Sequence, residues 1–80
     1  MFSKEKFGQR IYELRKASGE TQEALGLLIG VKKGQISGIE RGNATTTAEK
    51  IALICQHYKV SADYLLGLTD DPEQKYKIDG

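Results

Sequence analysis

The chain is short of several residue types, and each shortage excludes something. It has one cysteine, one histidine, one proline and no tryptophan in 80 residues. Cys55 alone closes no internal disulfide, and Cys55 with His57 falls short of the four ligands of a structural zinc site. Neither a covalent nor a metal staple is expected. No run of eighteen apolar residues occurs, and MFSKEKFGQR carries charge where a secretory signal needs an apolar stretch. The expected address is therefore cytosolic, with no membrane association. No nucleophile–base pair, metal set or phosphate-cradling loop stands at a workable spacing. Cys55 and His57, two apart on a helix, point away from each other. No enzyme activity, catalytic residue or cofactor is expected.

A strong net charge is also missing, but the charge is unevenly placed. The formal net charge is +1. Residues 1–41 hold eight Lys and Arg against five acids, and residues 42–80 hold four against six. One end of the molecule is thus basic, which suits a polyanion, although a mixed solvated surface has the same composition.

What is present reads as helices around a single small core. Phe7, Ile11 and Leu14 recur at i, i+4 and i+7 and predict a helix over about 3–17, stopped by Gly19. Thr21 caps a second helix with Ala24, Leu25, Leu28 and Ile29 as its apolar face, and Gly30 ends it in a left-handed turn. The chain restarts within about three residues as GVKKGQISGIERG. After Gly42, NATTT reads as a loop ending in Thr47 as N-cap. Ile51, Leu53, Ile54, Cys55 and Tyr58 predict a fourth helix apolar on more than one side. Ser61 caps a short fifth helix to about Leu66. No segment alternates with period two, so the fold class is all-α with five helices.

Two short helices joined by a tight glycine turn, over about 21–41, outline a helix-turn-helix, although many small bundles contain such a corner. Residue types strengthen the functional reading. Lys32, Lys33, Gln35 and Ser37 cluster at the start of the second helix of this pair, where donors reach phosphates and base edges. Gly34 and Gly38 each cost a helix roughly 1 kcal/mol relative to alanine, so their presence there asks for a reason.

The run TQEALGLLIGVKKGQISGIERG, followed by a polar loop and IALICQHYKVSADYLLGLTDD, resembles the Cro/CI-type, XRE-like helix-turn-helix family of phage and bacterial regulators. The resemblance covers roughly residues 7–69. It implies a compact five-helix bundle of the lambda-repressor-like DNA-binding type over residues 1–69, with 70–80 as a polar tail or linker. It also implies particular roles. Gln22 holds a backbone phosphate and braces the recognition helix. Lys33 takes the most exposed base-reading position, donating to guanine or gripping a phosphate. Lys32 stands where the family has a capping hydroxyl, so the helix start loses a cap and gains a charge. Gln35 and Ser37 meet base edges or phosphate, and Arg41 and Asn43 hold the backbone. At Gly34 and Gly38 the family more often carries base-touching side chains. This helix should therefore read fewer bases directly and lie closer to the groove. Arg15 and Glu40 match a structural ion pair.

The expected function is sequence-specific binding of a double-stranded, palindromic operator by a homodimeric transcriptional repressor in the bacterial cytosol or nucleoid. Val60, Tyr64, Leu66 and Leu68 are the expected self-contact, or else plain core. The alternative is a protein-interaction module, such as an antitoxin or a domain answering an antirepressor, whose main partner is a protein.

Overall fold

The computed structural model describes residues 2–74, and its helices begin where a capping hydroxyl precedes an apolar period. Ser3 accepts from the Lys6 amide and opens α1 (Lys4–Ala17). Thr21 accepts from the Ala24 amide and opens α2 (Gln22–Ile29), which ends at Gly30 with φ 78°. Three residues later α3 (Lys33–Glu40) begins, followed by α4 (Ala48–Tyr58) capped by Thr47 and α5 (Ala62–Leu65) capped by Ser61. All described regular structure is helical.

Helix α3 packs on α1 and α2, and α4 with α5 closes the other side. Phe7, Ile11, Leu25, Ile36, Ile54 and Leu65 are fully buried between them, each contributing roughly 1.5–3 kcal/mol by leaving water. Two glycines permit this packing. A Cβ on Gly8 would lie 2.0 Å from the Ile39 carbonyl oxygen, and one on Gly26 would lie 2.6 Å from the Val31 carbonyl oxygen. They are the points where α1 meets α3 and where α2 meets its own turn.

Several expectations need correction. Helix α2 buries Leu25, Gly26 and Ile29, while Ala24 and Leu28 of the expected apolar face are exposed. The close approach at Gly26 rotates the inner face toward that residue. Leu27 is left 80% exposed. Of the apolar residues of α4, Ile54 and Cys55 are buried and Ile51 and Tyr58 pack partly against the core, while Leu53 is exposed. Val60 is only 5% exposed, so most of its side chain packs within the protomer. Tyr64 is half-buried, with the Arg10 guanidinium 4.1 Å from its ring centroid. Leu66 is partly buried against the core, and Leu68 is 57% exposed.

The chain also stays attached beyond residue 69. Arg10 donates to the carbonyl oxygens of Tyr64 and Thr69 and lies 2.6 Å from an Asp70 carboxylate oxygen. The Ser61 backbone amide donates to the Pro72 carbonyl (2.9 Å), and Gln74 Nε2 donates to the Val60 carbonyl (3.1 Å). Residues 70–74 are thus strapped to the α4–α5 corner. The rest of the expected tail, 75–80, lies outside the described residues.

Candidate nucleic-acid interface

Ile36 and Ile39 anchor α3 to the core on one side. Positions 34, 38 and 41, at i, i+4 and i+7, therefore form its outer line. Nothing lies within 4 Å of a Cβ built on Gly34 or Gly38. These two glycines serve no internal packing, in contrast to Gly8 and Gly26. Lys33 and Ser37 flank the outer line on one side and Gln35 on the other. Lys32, Lys33, Gln35 and Arg41 are all exposed.

The orientation of α3 is set by one ion pair and its neighbours. Arg15 Nε lies 2.6 Å from Glu40 Oε2 and Arg15 Nη2 lies 3.0 Å from Glu40 Oε1. The two side chains are 9% and 6% exposed. The hydrogen bond to Glu40 raises the Arg15 pKa above its already high ordinary value, outweighing burial, which lowers it. Gln22 Nε2 donates to Glu40 Oε1 at 3.0 Å. This tie fixes which end of the Gln22 amide carries hydrogens and leaves its second N–H for another acceptor. The C-terminus of α3, the N-terminus of α2 and the end of α1 thus meet on one carboxylate.

The α3 start is capped in reverse. Lys32 occupies the N-cap with no side-chain cap bond, because an ammonium cannot accept. Gln35 Oε1 instead accepts from the Lys32 amide at 3.0 Å, which is half of a capping box. At the other end, Arg41 donates to Ser37 Oγ. Gly42, at φ 80°, carries the chain over Glu5 to Asn43, which is exposed and whose amide donates to the Gly38 carbonyl (3.0 Å).

A second network, absent from the sequence reading, supports the first. Arg15 Nη1 donates to the Glu20 carbonyl at 2.6 Å. The Glu20 carboxylate accepts from Tyr58 Oη at 2.6 Å and lies 2.5 Å from His57 Nε2. Burial pushes the Glu20 pKa up, but the hydrogen bonds from Tyr58 and His57 outweigh it and hold the carboxyl below its usual range. Burial and the bond to Glu20 push the Tyr58 phenol well above its ordinary value. The C-terminus of α4 is in this way tied to the turn after α1, whose Glu20 carbonyl also holds Arg15. Glu20 reads in the sequence as a loop acid, and only the thirty-eight-residue jump to Tyr58 reveals its role. Cys55 is buried and burial raises its thiol pKa.

Among the described residues, no group of His, Cys, Asp and Glu could hold a metal ion, and no helix is long and apolar enough to cross a membrane.

A five-helix bundle with an outward-facing α3 clamped by Arg15, Gln22 and Glu40 defines a helix-turn-helix protein of the lambda-repressor-like type. The helix-turn-helix family model matches residues 11–65, and the chain belongs to that family, in its Cro/CI-type, XRE-like branch. It is 42% identical over 67 residues to the uncharacterized HTH-type transcriptional regulator YobD of Bacillus subtilis, covering 84% of this chain and 60% of YobD. It is 31% identical over 78 residues to the antitoxin PezA of Streptococcus pneumoniae, covering 90% of this chain and 49% of PezA. The chain thus spans about half to three-fifths of these relatives. Among solved structures it is similar to the P22 c2 repressor in complex with a synthetic operator, with a TM-score of 0.70, 35% identity and coverage of 75% and 91% of the two chains.

Proposed function

We propose that this protein is a sequence-specific, double-stranded DNA-binding transcriptional repressor that places α3 in the major groove and acts as a homodimer on a palindromic operator. The observation that carries the reading is the rigid outward presentation of α3. Its inner face is spent on the core, its C-terminus is clamped through Glu40, and its exposed side chains are basic or polar. In this reading Gln22, Arg41 and Asn43 hold phosphates, while Lys32, Lys33, Gln35 and Ser37 face the groove. Similarity to the operator-bound P22 c2 repressor supports it.

A dimer follows from energetics, since one module buries a modest surface and useful specificity needs two half-sites about one helical turn apart. Exposed Leu68, Leu66 beside it, and a shallow apolar groove lined by Ile51, Ala52, Cys55, Ala62 and Leu66 support self-contact on the α4–α5 side. Such a regulator works in the bacterial cytosol or at the nucleoid. Similarity to the antitoxin PezA supports the second reading, a protein partner such as a toxin or antirepressor.

Salt dependence separates the two. A dimer with several phosphate contacts on each half loses on the order of 10³-fold or more in DNA affinity between about 50 and 200 mM salt. Weak DNA binding without a salt slope, together with a persistent protein complex, would favour the protein-partner reading.

A further inference from the structure

We infer that Glu20 is a positioning residue for DNA binding: anchored to α4 by its side chain, it holds Arg15 by its backbone and so fixes where Gln22 meets a phosphate. The inference rests on the DNA-binding reading above and adds a residue to it. Glu20 lies in the short turn, residues 18–21, that joins α1 to α2. The glycine of that turn gives it no packing, since nothing lies within 4 Å of a Cβ built on Gly19. The Gly19 and Glu20 amides donate back to α1, to the carbonyls of Lys16 (3.1 Å) and Arg15 (3.0 Å). What ties the turn to α4 is the Glu20 carboxylate, which accepts from Tyr58 Oη on one oxygen and meets His57 Nε2 on the other. The two rings stand edge to face with centroids 4.7 Å apart, and Tyr58 packs against the core, so the anchor is itself held in place.

The backbone of the same residue completes the connection. Arg15 spends Nε and Nη2 on Glu40 and Nη1 on the Glu20 carbonyl, so its guanidinium is a strut from the turn to the end of α3. Glu40 Oε1 is shared by Arg15 Nη2 and Gln22 Nε2. Thr21 and Gln22 follow Glu20 directly, as the N-cap and first residue of α2. Releasing the carboxylate from α4 therefore lets the Glu20 carbonyl, the Arg15 strut and the start of α2 shift together. A hydrogen bond from Gln22 to a phosphate weakens steeply with such a change of distance and angle. A carboxylate repels phosphate, so Glu20 acts through Arg15 and Gln22 and not by contact.

The test is a double-substitution cycle read on DNA. Wild type is first used to enrich a randomised duplex library. Affinity for the enriched duplex is then measured for Glu20→Ala, Glu20→Gln and Tyr58→Phe, each alone and combined with Gln22→Ala. Measurements are made at a temperature where thermal unfolding shows every variant folded. Glu20→Ala should weaken binding about tenfold in the presence of Gln22 and less than about threefold in its absence, as residues of one network do. Tyr58→Phe should repeat that pattern with a smaller loss. It removes one hydroxyl and keeps the ring, so the cycle can be completed even where Glu20→Ala does not fold. Glu20→Gln, which keeps an oxygen for the Tyr58 hydroxyl, should bind within about threefold of wild type. Losses that simply add to that of Gln22→Ala, affinity unchanged beside a lowered melting temperature, or Glu20→Gln no better than Glu20→Ala overturn the inference and leave DNA binding standing. A library with no enrichment and no salt-dependent retention removes the DNA-binding reading, and this inference with it.

Discussion

Gly8 faces the carbonyl oxygen of Ile39 so closely that a Cβ at position 8 would lie 2.0 Å from it. The middle of α1 therefore sets how near α3 can approach. Gly8→Ala improves local helix propensity by roughly 1 kcal/mol, yet the backbone on both sides of the clash cannot yield without shifting α3. We expect net destabilisation of about 1–3 kcal/mol. Thermal unfolding measures it, and a melting temperature equal to or above wild type would contradict this close α1–α3 packing.

Arg15 and Glu40 form a two-pronged, nearly buried pair. Removing one partner strands a charge, so Arg15→Ala should cost about 3–5 kcal/mol and weaken DNA binding. The intact pair need add little net stability, because desolvation offsets its attraction. The double substitution Arg15→Met with Glu40→Leu should therefore recover most of the melting temperature. It should not recover operator affinity, since Gln22 loses its tie to α3. Recovery of both would show that the pair does not set the presentation of the helix.

Gly34 and Gly38 differ from Gly8 in having open space around them. Alanine at either position should stabilise the fold by roughly 1 kcal/mol. If the α3 backbone lies close against the bases, the same substitutions should weaken operator binding. A raised melting temperature with unchanged affinity would mean that the glycines are merely tolerated.

The Glu20 cluster should shape the pH dependence of stability at both ends. Its carboxyl is held below the ordinary range by Tyr58 and His57 against the opposing effect of burial. As pH falls below about 4.3, the unfolded chain takes up the proton first and stability drops until the folded carboxyl is also protonated. Tyr58 is shifted upward, so its contribution is complete below about pH 10 and is lost as the unfolded phenol ionises at higher pH. Thermal unfolding across pH should show a shallower acid limb in Glu20→Gln and a shallower alkaline limb in Tyr58→Phe. Unchanged limbs would show that the cluster is not coupled to folding.

The helices and their ends were legible in the chain because they depend on local chemistry. Thr21, Thr47 and Ser61 cap from positions adjacent to the helices they start, whereas the apolar period alone placed Ser3 inside α1 rather than at its cap. Gly30 turns the backbone with a φ that other residues avoid. The exposed cluster on α3 was likewise visible as donors beside a glycine turn. The resemblance to a known family pointed to Arg15, Gln22 and Glu40, residues that no local period would have grouped.

Which glycines matter, and which leucines face out, was decided only by the tertiary structure. Gly8 and Gly34 both stand within helices, yet one meets a backbone oxygen and the other meets nothing. Leu25 and Leu27 are two residues apart on α2 and have opposite fates, because the close crossing at Gly26 selects the inner face. The Arg10 strap and the Glu20 cluster join residues 60 and 38 positions apart. By itself the sequence determined the helices, their caps and the donors on α3, since those follow from neighbours along the chain. The angle of α3, the attachment of residues 70–74 and the hydrogen bonds that converge on Glu40 follow from neighbours in space, and only the fold brings those together.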